Sequence, residues 1–349
     1  MKIAIDAMGG DHAPAAVVAA AEEAARAFPD DTLLLFGDVN QIQSLLSADV
    51  PANIVVKPTT EVIATGEEPV RAVRRKKDAS MVRAARAVKD GEADAMISAG
   101  NTGALLTVAT LIVGRIRGVD RAAVMVDVPN LNQPGQVMSY LDAGANAESK
   151  ANYLWQYAIM GQAYQKRVKQ LENPRIGLLN NGSEAEKGTP VTKEAYQLLS
   201  QDDQLNFVGN VEARELLQDS CDVLVTDGFT GNAALKATEG AIDTFTKALK
   251  QIFLHNGIKG KLGGLLMKDL LKRYFDEIDY ESLGGGLFMG VKRPVLKAHG
   301  NAEAKSLYAT IMQARTIVSS GLYEQLSEDF TARYQAEKAA KTNDSATAE

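Results

Sequence analysis

The amino-acid sequence predicts an α/β protein in which helices cover a mostly parallel sheet. Short apolar runs alternate with helix-length segments along most of the 349 residues, and this alternation is typical of βα units. The chain is 46% hydrophobic and 23% charged, so it can form a large core. Neither an internal repeat nor a Gly/Ser-rich linker divides it, and we therefore expect a single domain over residues 1–330.

Strands are predicted where short apolar runs end at polar or glycine-containing turns. The first runs from Lys2 to Asp6 and is followed by a glycine pair. In chain order the others are Thr32–Phe36, Asn53–Val56, Ala93–Ser98, Ala122–Val126, Val137–Asp142, Arg175–Leu179, Leu205–Val208, Asp222–Thr226 and Val295–Ala298.

The first helix is predicted over Ala13–Phe28, because Pro14 suits a first helical turn and opens an alanine-rich segment. The polar, small residues 331–349 predict a disordered tail. The other helices are predicted over Asp78–Lys89, Gly103–Arg115, Ala147–Val168, Thr192–Leu199, Asn232–His255 and about Ala302–Leu322.

Residues 6–14, DAMGGDHAP, are typical of a strand end, an anion-binding loop and a helix start. Gly9 and Gly10 let the backbone approach a ligand closely, and free N–H groups at a helix start favour an anion. His12 lies in this loop and is one of three histidines in the chain. We interpret His12 as a candidate catalytic residue, with hydrogen bonding to the loop backbone as its alternative role.

Four later loops share a pattern, since each brings small residues and a short polar side chain to a predicted helix start. They are SAGNTG (98–103), NNGSEAEKG (180–188), TDGFTGN (226–232) and KAHGN (297–301). Each loop alone could be a helix cap and a turn. Because ligands of open α/β sheets bind at the carboxyl ends of strands, the set predicts one polar site. Donors outnumber carboxylates at the loop tips, so this site should prefer a phosphate-like anion.

Lys187 is the cation of its loop and the best candidate to hold an anion or a developing oxyanion. Asn232 is a further candidate catalytic residue, with helix capping as the alternative. His299 is a reserve for the role of His12. The candidate phosphate-binding residues are Gly100, Asn101, Thr102, Gly103, Gly228, Thr230, Gly231 and His299.

Several classes of function lack their motif in this sequence. Neither a G-x-G-x-x-G after a strand nor a G-x-x-x-x-G-K-[ST] is present, and no G-x-S-x-G elbow occurs. The histidines and Cys221 do not have metal-ligand spacing, so we expect neither a metal nor a cofactor. Cys221 precedes an apolar strand and is interpreted as buried structure rather than a nucleophile. The net charge of −6 gives no indication of nucleic-acid binding.

The composition also indicates the cellular compartment in which we expect the protein. A single cysteine fits a reducing environment, and the first residues predict a strand rather than a signal peptide. The longest apolar segment, Ala104–Gly114, is much shorter than the ~20 residues that span a bilayer. We therefore expect a cytoplasmic protein whose membrane contact, if any, is peripheral.

Two segments are candidates for partner surfaces. Residues 71–77 concentrate Arg71, Arg74, Arg75, Lys76 and Lys77, which would attract an acidic partner or could be simply a solvated face. Residues 258–275 predict a basic amphipathic helix within a protruding helical hairpin at about 245–280, suited to a membrane interface or to core or dimer packing. The residues predicted to contact a membrane are Leu262, Leu265, Leu266 and Leu270.

These motifs together resemble the phosphate acyltransferases of bacterial phospholipid synthesis, the PlsX family, over roughly residues 1–325. The loop after the strand at 175–179 departs modestly, because it has Asn180-Asn181-Gly182 where the family has a simpler N-[IV]-G. The matching stretches are DAMGGDHAP (6–14), EEPVRAVRRKKDASM (67–81), ISAGNTGALL (97–106), GRIRGVDR (114–121), LDAGAN (141–146), YAIMG (157–161), FVGNVEAREL (207–216), DVLVTDGFTGN (222–232) and KAHGN (297–301).

The resemblance implies transfer of a long-chain acyl group from acyl carrier protein to inorganic phosphate, for glycerol-3-phosphate acylation in phospholipid synthesis. It also implies a doubly wound α/β/α sandwich similar to phosphotransacetylases and isopropylmalate dehydrogenases. A homodimer at the inner face of the cytoplasmic membrane is implied, with the downstream glycerol-3-phosphate acyltransferase as a partner. Under this reading, the basic run over residues 71–77 would dock the acidic carrier protein.

Three alternatives remain open at this point. A short-chain phosphotransacetylase would use a coenzyme A thioester on a similar fold. An NAD-dependent decarboxylating dehydrogenase would need clustered aspartates for a divalent metal, and the later loops have no D-x-x-x-D cluster. A non-enzymatic scaffold would only recruit acyl carrier protein to a membrane.

Overall fold

The computed structural model describes residues 1–133, 135–255, 257–277 and 283–346. The strands in chain order are β1 (Lys2–Asp6), β2 (Thr32–Gly37), β3 (Ile54–Pro58), β4 (Ala95–Ser98), β5 (Ala123–Pro129), β6 (Val137–Leu141), β7 (Arg175–Asn180), β8 (Asn206–Glu212), β9 (Val223–Val225), β10 (Gly286–Met289) and β11 (Val295–Lys297).

The helices alternate with these strands over most of the chain, as the sequence predicts. A π-helical stretch over Ala109–Gly114 continues α5, and a short 3₁₀ turn occupies Ala213–Glu215. The helices are α1 (Ala15–Ala27), α2 (Val39–Leu45), α3 (Pro69–Arg75), α4 (Ser80–Lys89), α5 (Thr102–Val108), α6 (Ala151–Arg167), α7 (Pro190–Gln201), α8 (Gly228–His255), α9 (Gly257–Glu277), α10 (Ala304–Ser320) and α11 (Leu322–Ala346).

The chain divides into two compact units. The first comprises Met1–Val126, Gln162–Glu172 and Glu281–Glu349, and the second comprises Asp127–Gly161 and Asn173–Tyr280. The expectation of one domain over residues 1–330 stays a prediction.

The first unit contains seven neighbouring strands in the order β3-β2-β1-β4-β11-β10-β5. β1 is parallel to β2 and to β4, and β11 is parallel to β4. β10 is antiparallel to both of its neighbours. The predicted mostly parallel sheet is confirmed, but β10 was not predicted, because its four residues lie among glycines that are more typical of a loop.

The second unit contains the order β6-β9-β7-β8, and every pairing among these strands is parallel. α6, α7 and α8 each follow one of its strands. Gly177 in β7 is required for close packing, since a Cβ there would lie 2.5 Å from Cγ2 of Val211. Cys221 is buried beside the same strand, with its Cβ and Sγ near Gly177.

The core of the first unit is built from apolar strands and small helical residues. Ile3 and Ile5 of β1 are buried, and α1 turns Ala20, Ala21 and Ala24 inward. Small side chains let a helix approach its neighbours closely, which explains why an alanine-rich segment forms a buried helix here. Burial of apolar area at roughly 25 cal/mol per Å² is the main stabilising contribution of such a layer.

The hairpin predicted at about 245–280 is formed by the end of α8 and by α9, with Asn256 and residues 278–280 outside the described part. Gly264 gives Phe253 room to pack, because a Cβ at 264 would lie 3.0 Å from the Cβ of Phe253. Among the described residues, no helix is both long enough and apolar enough to span a bilayer.

The segment predicted to be a disordered tail is helical as far as the structure describes it. Residues 331–346 continue α11, and residues 347–349 lie outside the described part. Alanine, glutamate, lysine and glutamine are strong helix formers, which favours continuation of the helix. Arg117 lies 4.8 Å from the ring centroid of Tyr334, so the helix is also anchored at this point.

Asp31 is a buried carboxylate that anchors α10 to the start of β2. Its Oδ2 accepts a hydrogen bond from Nε of Arg315 at 2.7 Å, and its Oδ1 accepts one from the amino group of Met1 at 3.1 Å. Burial raises the pKa of Asp31, but these two partners outweigh burial and bring the net pKa below its ordinary value.

We predict that Asp31→Asn lowers the free energy of unfolding at pH 7 by about 1–3 kcal/mol, because it leaves a charged donor poorly paired. A carboxyl group whose pKa is lowered in the folded state stabilises that state at pH values above its ordinary pKa. This stabilisation is lost as the pH falls. The difference from wild type should therefore shrink below the ordinary value of 3.8. Denaturant unfolding at pH 7 and pH 3 measures this, with the exposed neighbour Asp30→Asn as control. An equal difference at both pH values would contradict the prediction.

Candidate active site

The first cluster of candidate residues lies at the carboxyl ends of three adjacent strands in the first unit. β1, β4 and β11 end side by side, and the loops after them are in contact. The N–H of Asp11 donates to the carbonyl oxygen of Gly300 over 2.7 Å. A Cβ added to Gly9 would lie 2.8 Å from the backbone nitrogen of Gly100. Three of the five loops predicted to form one site therefore meet in this unit.

Asp6, at the end of β1, is the buried group that connects these loops, and it is only 2% exposed. Its carboxylate accepts hydrogen bonds from Oγ of Ser80 at 2.5 Å and from Oγ of Ser98 at 2.7 Å. Burial raises the pKa of Asp6, although the hydrogen bonds act against this rise. Ser98 Oγ in turn accepts the N–H of Gly100 at 3.0 Å. Asp6 therefore fixes the loop after β4 through Ser98.

The start of α5 differs in part from the predicted anion site. The N–H of Gly100 is committed to Ser98, so it does not point at a ligand. In the part of the chain that the structure describes, the N–H groups of Thr102 and Gly103 have no acceptor. The donors that remain for an anion in this loop are therefore those of the first turn of α5.

The Asn101 side chain is buried and hydrogen-bonded on both sides. Its Oδ1 accepts the N–H of Ala104 at 3.0 Å and so caps α5. Its Nδ2 donates to the carbonyl oxygens of Thr65 at 2.8 Å, Glu67 at 3.2 Å and Ala64 at 3.4 Å. This side chain, predicted to bind phosphate, is instead saturated by backbone groups of the segment between β3 and α3.

His12 and His299 both have exposed side chains in the loops of this cluster. Lys297 precedes His299 and was not predicted as a site residue. Its Nζ donates to the carbonyl oxygen of Ala99 at 3.5 Å and also to that of Ala298. It therefore places a cation where the loops after β4 and β11 meet. Its only signal in the sequence is its place at a strand end directly before the histidine loop.

In the second unit, Asp142 is a buried carboxyl group at the end of a strand, as Asp6 is in the first unit. It follows β6, it is fully buried, and its carboxylate accepts the N–H groups of Gly144, Ala145 and Asn146 at 2.9–3.0 Å. The side-chain amide of Asn146 donates to the same carboxylate at 2.9 Å and to Tyr157 Oη at 3.0 Å. Four donors around one carboxylate offset the cost of burying its charge.

The start of α8 packs directly on this carboxylate loop. A Cβ on Gly231 would lie 2.0 Å from the carbonyl oxygen of Asp142, and one on Gly228 would lie 2.5 Å from that of Asn146. Asn232 has an exposed side chain and contacts the loop, because a Cβ on Gly144 would lie 3.2 Å from the Cβ of Asn232. The segments LDAGAN (141–146) and TDGFTGN (226–232) therefore pack directly against each other.

Part of the donor set at the start of α8 is used within the protein. The N–H of Thr230 donates to Oδ1 of Asp227 at 2.8 Å, which is a helix cap and one of the roles expected for such loops. The N–H of Gly231 donates to the carbonyl oxygen of Asp227 at 2.8 Å. Tyr140 Oη donates to the carbonyl oxygen of Gly231 at 3.1 Å, and burial raises the pKa of this phenol.

Lys187 lies in the loop after β7 with its side chain half exposed. Its Nζ is 4.0 Å from Oε1 of Glu184, so the ion pair is loose and leaves the ammonium accessible. The loop is fixed by Asn180, whose Nδ2 donates to the carbonyl oxygen of Lys187 at 3.2 Å and to Oδ1 of Asn210 at 3.1 Å. Lys187 and Asn232 both belong to the second unit.

The basic run predicted as a docking surface corresponds to α3 and the turn after it. Arg71, Arg74, Arg75 and Lys77 have exposed side chains. Lys76 differs from them, because its Nζ is paired with Oε1 of Glu67 at 2.6 Å and donates to the carbonyl oxygen of Val62 at 2.7 Å.

The hairpin presents a row of exposed apolar side chains on α9. Leu262 and Leu270 are slightly more than half exposed, and Leu265 and Leu266 are about 70% exposed. Exposed lysines, including Lys268 and Lys272, lie on the same helix. These apolar side chains are therefore not packed into a core among the described residues.

Cys221 was correctly interpreted as buried structure rather than a nucleophile. Cys221 is buried, and burial raises the pKa of its thiol to about 12, so it is not a thiolate at neutral pH. Within the described ranges, no cluster of three or more histidine, cysteine, aspartate or glutamate side chains could hold a metal ion.

Comparison with known proteins identifies the family. A family model described as "Fatty acid synthesis protein" matches residues 1–325. The chain is 49% identical to a phosphate acyltransferase of Streptococcus suis over 330 residues, which is 95% of this chain and 97% of that protein. A phosphate acyltransferase of Pediococcus pentosaceus is also 49% identical, over 95% of this chain and 94% of its own length. The chain belongs to this family of phosphate acyltransferases.

A solved structure supports the fold assigned to this phosphate acyltransferase. A phosphotransacetylase from Streptococcus pyogenes superposes with a TM-score of 0.58 at 16% identity, covering 93% of this chain and 94% of that chain. At this identity the likeness is one of fold alone. The phosphotransacetylase-like α/β fold implied by the sequence motifs is confirmed.

Two glycines of α8 provide a matched pair of substitutions that tests how this helix packs on the Asp142 loop. We predict that Gly231→Ala lowers the free energy of unfolding by about 1–3 kcal/mol, because the new Cβ would meet the carbonyl of Asp142. Gly240→Ala in the same helix has open space and should raise it by about 0.5–1 kcal/mol. Denaturant melts of both variants test this. Equal effects of the two substitutions would show that the close contact is unimportant.

Proposed function

We propose that this phosphate acyltransferase transfers a long-chain fatty acyl group from the thioester of acyl carrier protein to inorganic phosphate. The products are acyl phosphate, for glycerol-3-phosphate acylation in phospholipid synthesis, and the free carrier. The observation that carries the proposal is the set of donor-rich loops after the strands, in a chain 49% identical to proteins named phosphate acyltransferase. These loops supply N–H groups, amides and a lysine, all of which bind phosphate oxygens.

In the proposed reaction, phosphate itself is the nucleophile. The second pKa of a phosphoester is about 6, and that of inorganic phosphate is similar, so much of it is a dianion at neutral pH. A phosphate oxygen attacks the thioester carbon, the tetrahedral intermediate collapses, and the C–S bond breaks to release the carrier thiolate, which takes up a proton. An activated serine or cysteine is not needed, which is consistent with the buried thiol of Cys221.

The residues divide between charge stabilisation and positioning. Lys187 and Asn232 stabilise phosphate and the developing oxyanion. Both side chains are exposed in the second unit, Lys187 in the loop after β7 and Asn232 near the start of α8. Thr102 and Gly103 contribute backbone N–H donors. Gly228, Thr230 and Gly231 position the start of α8, because the N–H groups of Thr230 and Gly231 are bonded to Asp227. Preorganised donors of this kind are the largest contribution to catalysis of acyl transfer in many enzymes.

The proton that the leaving thiolate needs comes from His12, with His299 as the alternative donor. Both side chains are exposed in loops of the first unit, where they are accessible to substrate. General acid catalysis by a positioned side chain typically accelerates a reaction about 100- to 10,000-fold.

The proposed function also includes a second copy of the chain, a membrane surface and partner proteins. A homodimer at the inner face of the cytoplasmic membrane, cooperating with a glycerol-3-phosphate acyltransferase, fits an enzyme whose product is an amphiphile. The exposed apolar row of α9, flanked by lysines, supports peripheral contact with an anionic surface. The exposed arginines of α3 support docking of an acidic carrier protein.

We predict that Lys187→Ala lowers the rate of acyl phosphate formation about 100- to 1,000-fold, as expected when one oxyanion donor is removed. The assay supplies palmitoyl carrier protein and phosphate and measures acyl phosphate as its hydroxamate. Lys193→Ala, an exposed lysine in α7, is the matched control and should keep wild-type turnover. Near-normal turnover of Lys187→Ala would remove this residue from the site. Equal turnover with short-chain coenzyme A thioesters would favour a phosphotransacetylase instead.

We predict that wild-type protein floats with vesicles containing anionic lipid and that Leu266→Glu with Leu270→Glu abolishes flotation. Charges in the apolar row of α9 oppose insertion into the lipid interface. Adding the same two charges to exposed positions of α11, with Gln335→Glu and Ala336→Glu, is the control and should preserve flotation. Undiminished flotation of the α9 variant would exclude this row as the membrane contact.

A further inference from the structure

The segment between β3 and α3 is attached to the start of α5 by one side chain. Asn101 Nδ2 donates to three backbone carbonyls within residues 64–67, while Oδ1 of the same amide caps α5. An amide that bridges a helix cap and three carbonyls has its whole hydrogen-bonding capacity used, because it has two N–H donors. Asn101 is 8% exposed, and its hydrogen bonds to residues 64–67 are partly buried.

The same segment is attached at its other end to the basic helix α3. Oε1 of Glu67 accepts the N–H of Ala64 at 2.7 Å and pairs with Lys76 Nζ at 2.6 Å. Lys76 also donates to the carbonyl oxygen of Val62 at 2.7 Å. Lys76 follows α3 directly, so the segment is tied to the carboxyl end of that helix.

A steric contact completes the attachment at the amino end of α3. Pro69 is the first residue of α3, and a Cβ on Gly103 would lie 2.6 Å from Cγ of Pro69. Glycine at 103 is therefore what lets the two helix starts touch. The exposed arginines of α3 and the free N–H groups of α5 are thus parts of one connected element in the first unit.

We propose that Asn101 is a positioning residue that fixes the carrier-docking helix α3 relative to the phosphate loop at the start of α5. The inference rests on the proposed function, because it assigns α3 the carrier protein as its partner. A carrier docked on Arg71, Arg74 and Arg75 then delivers its thioester at a set position relative to the donors of α5. Asn101 acts through residues 62–77 and does not touch phosphate.

The first test is Asn101→Asp, which keeps the Oδ1 cap but turns a carboxylate oxygen toward three carbonyls. Hydrogen exchange of a peptide covering residues 62–77 should speed up at least tenfold. The KM for acyl carrier protein should rise about tenfold, as the loss of partly buried hydrogen bonds worth about 1.4 kcal/mol implies. The KM for phosphate should stay within about twofold. Asn40→Asp, an exposed position in α2, adds the same charge and should change neither quantity.

A second pair of variants leaves α5 untouched, in case Asn101→Asp folds poorly. Lys76→Met and Lys77→Met remove the same charge at neighbouring positions, but only Lys76 is tied to Glu67 and Val62. Lys76→Met should speed exchange of residues 62–77 and raise the KM for acyl carrier protein more than Lys77→Met does. Identical behaviour of the two would overturn the proposal.

The outcomes separate this proposal from the proposed function. Unchanged exchange in Asn101→Asp, or faster exchange without a rise in the KM for acyl carrier protein, overturns the positioning role. A raised KM for phosphate with an unchanged KM for acyl carrier protein assigns Asn101 to phosphate instead. If wild-type protein forms no acyl phosphate, the proposed function fails, while the exchange measurements still decide whether Asn101 holds the segment.

Discussion

A buried carboxylate at the end of a strand organises the loops in each unit of this protein. Asp6 lies at the end of β1 and accepts hydrogen bonds from two hydroxyls, and Asp142 follows β6 and accepts hydrogen bonds from N–H groups. A buried carboxyl group must be satisfied by hydrogen bonds, and the hydroxyls and N–H groups of nearby segments supply them. His12 lies in the loop that begins at Asp6, and Asn232 contacts the loop that begins at Asp142, whereas the loop of Lys187 is fixed by Asn180.

Glycines in the neighbouring loops allow the backbone to pack closely around these two carboxyl groups. The loops approach so closely that a Cβ at Gly9 would lie 2.5 Å from Asp6, and one at Gly228 would lie 2.8 Å from Asp142. The D-A-M-G-G, D-A-G and D-G-F-T-G stretches therefore do more than cap helices. They allow backbone to surround a buried carboxyl group, and the nearby side chains of Asn232 and His12 are exposed.

Much of the fold could be predicted from the sequence, because strand and helix patterns are local. β1 matches its predicted bounds, and β7 and α8 differ from prediction by a few residues. β10 was missed because its pairing with β5 and β11 depends on residues far apart in the chain. The site was predicted as a set of loops. The full hydrogen bonding of Asn101 depends on contacts between distant segments, and so does the organising role of Asp6 and Asp142. Sequence periodicity does not reveal such contacts.

In the proposed reaction phosphate attacks the thioester directly, and the protein supplies hydrogen-bond donors rather than a nucleophile. The most direct test incubates stoichiometric protein with palmitoyl carrier protein without phosphate, measures the intact protein mass, and then adds phosphate. We expect an unchanged protein mass and an intact thioester before the addition, followed by acyl phosphate and free carrier. A protein heavier by one acyl group, or carrier released before phosphate is added, would contradict the account.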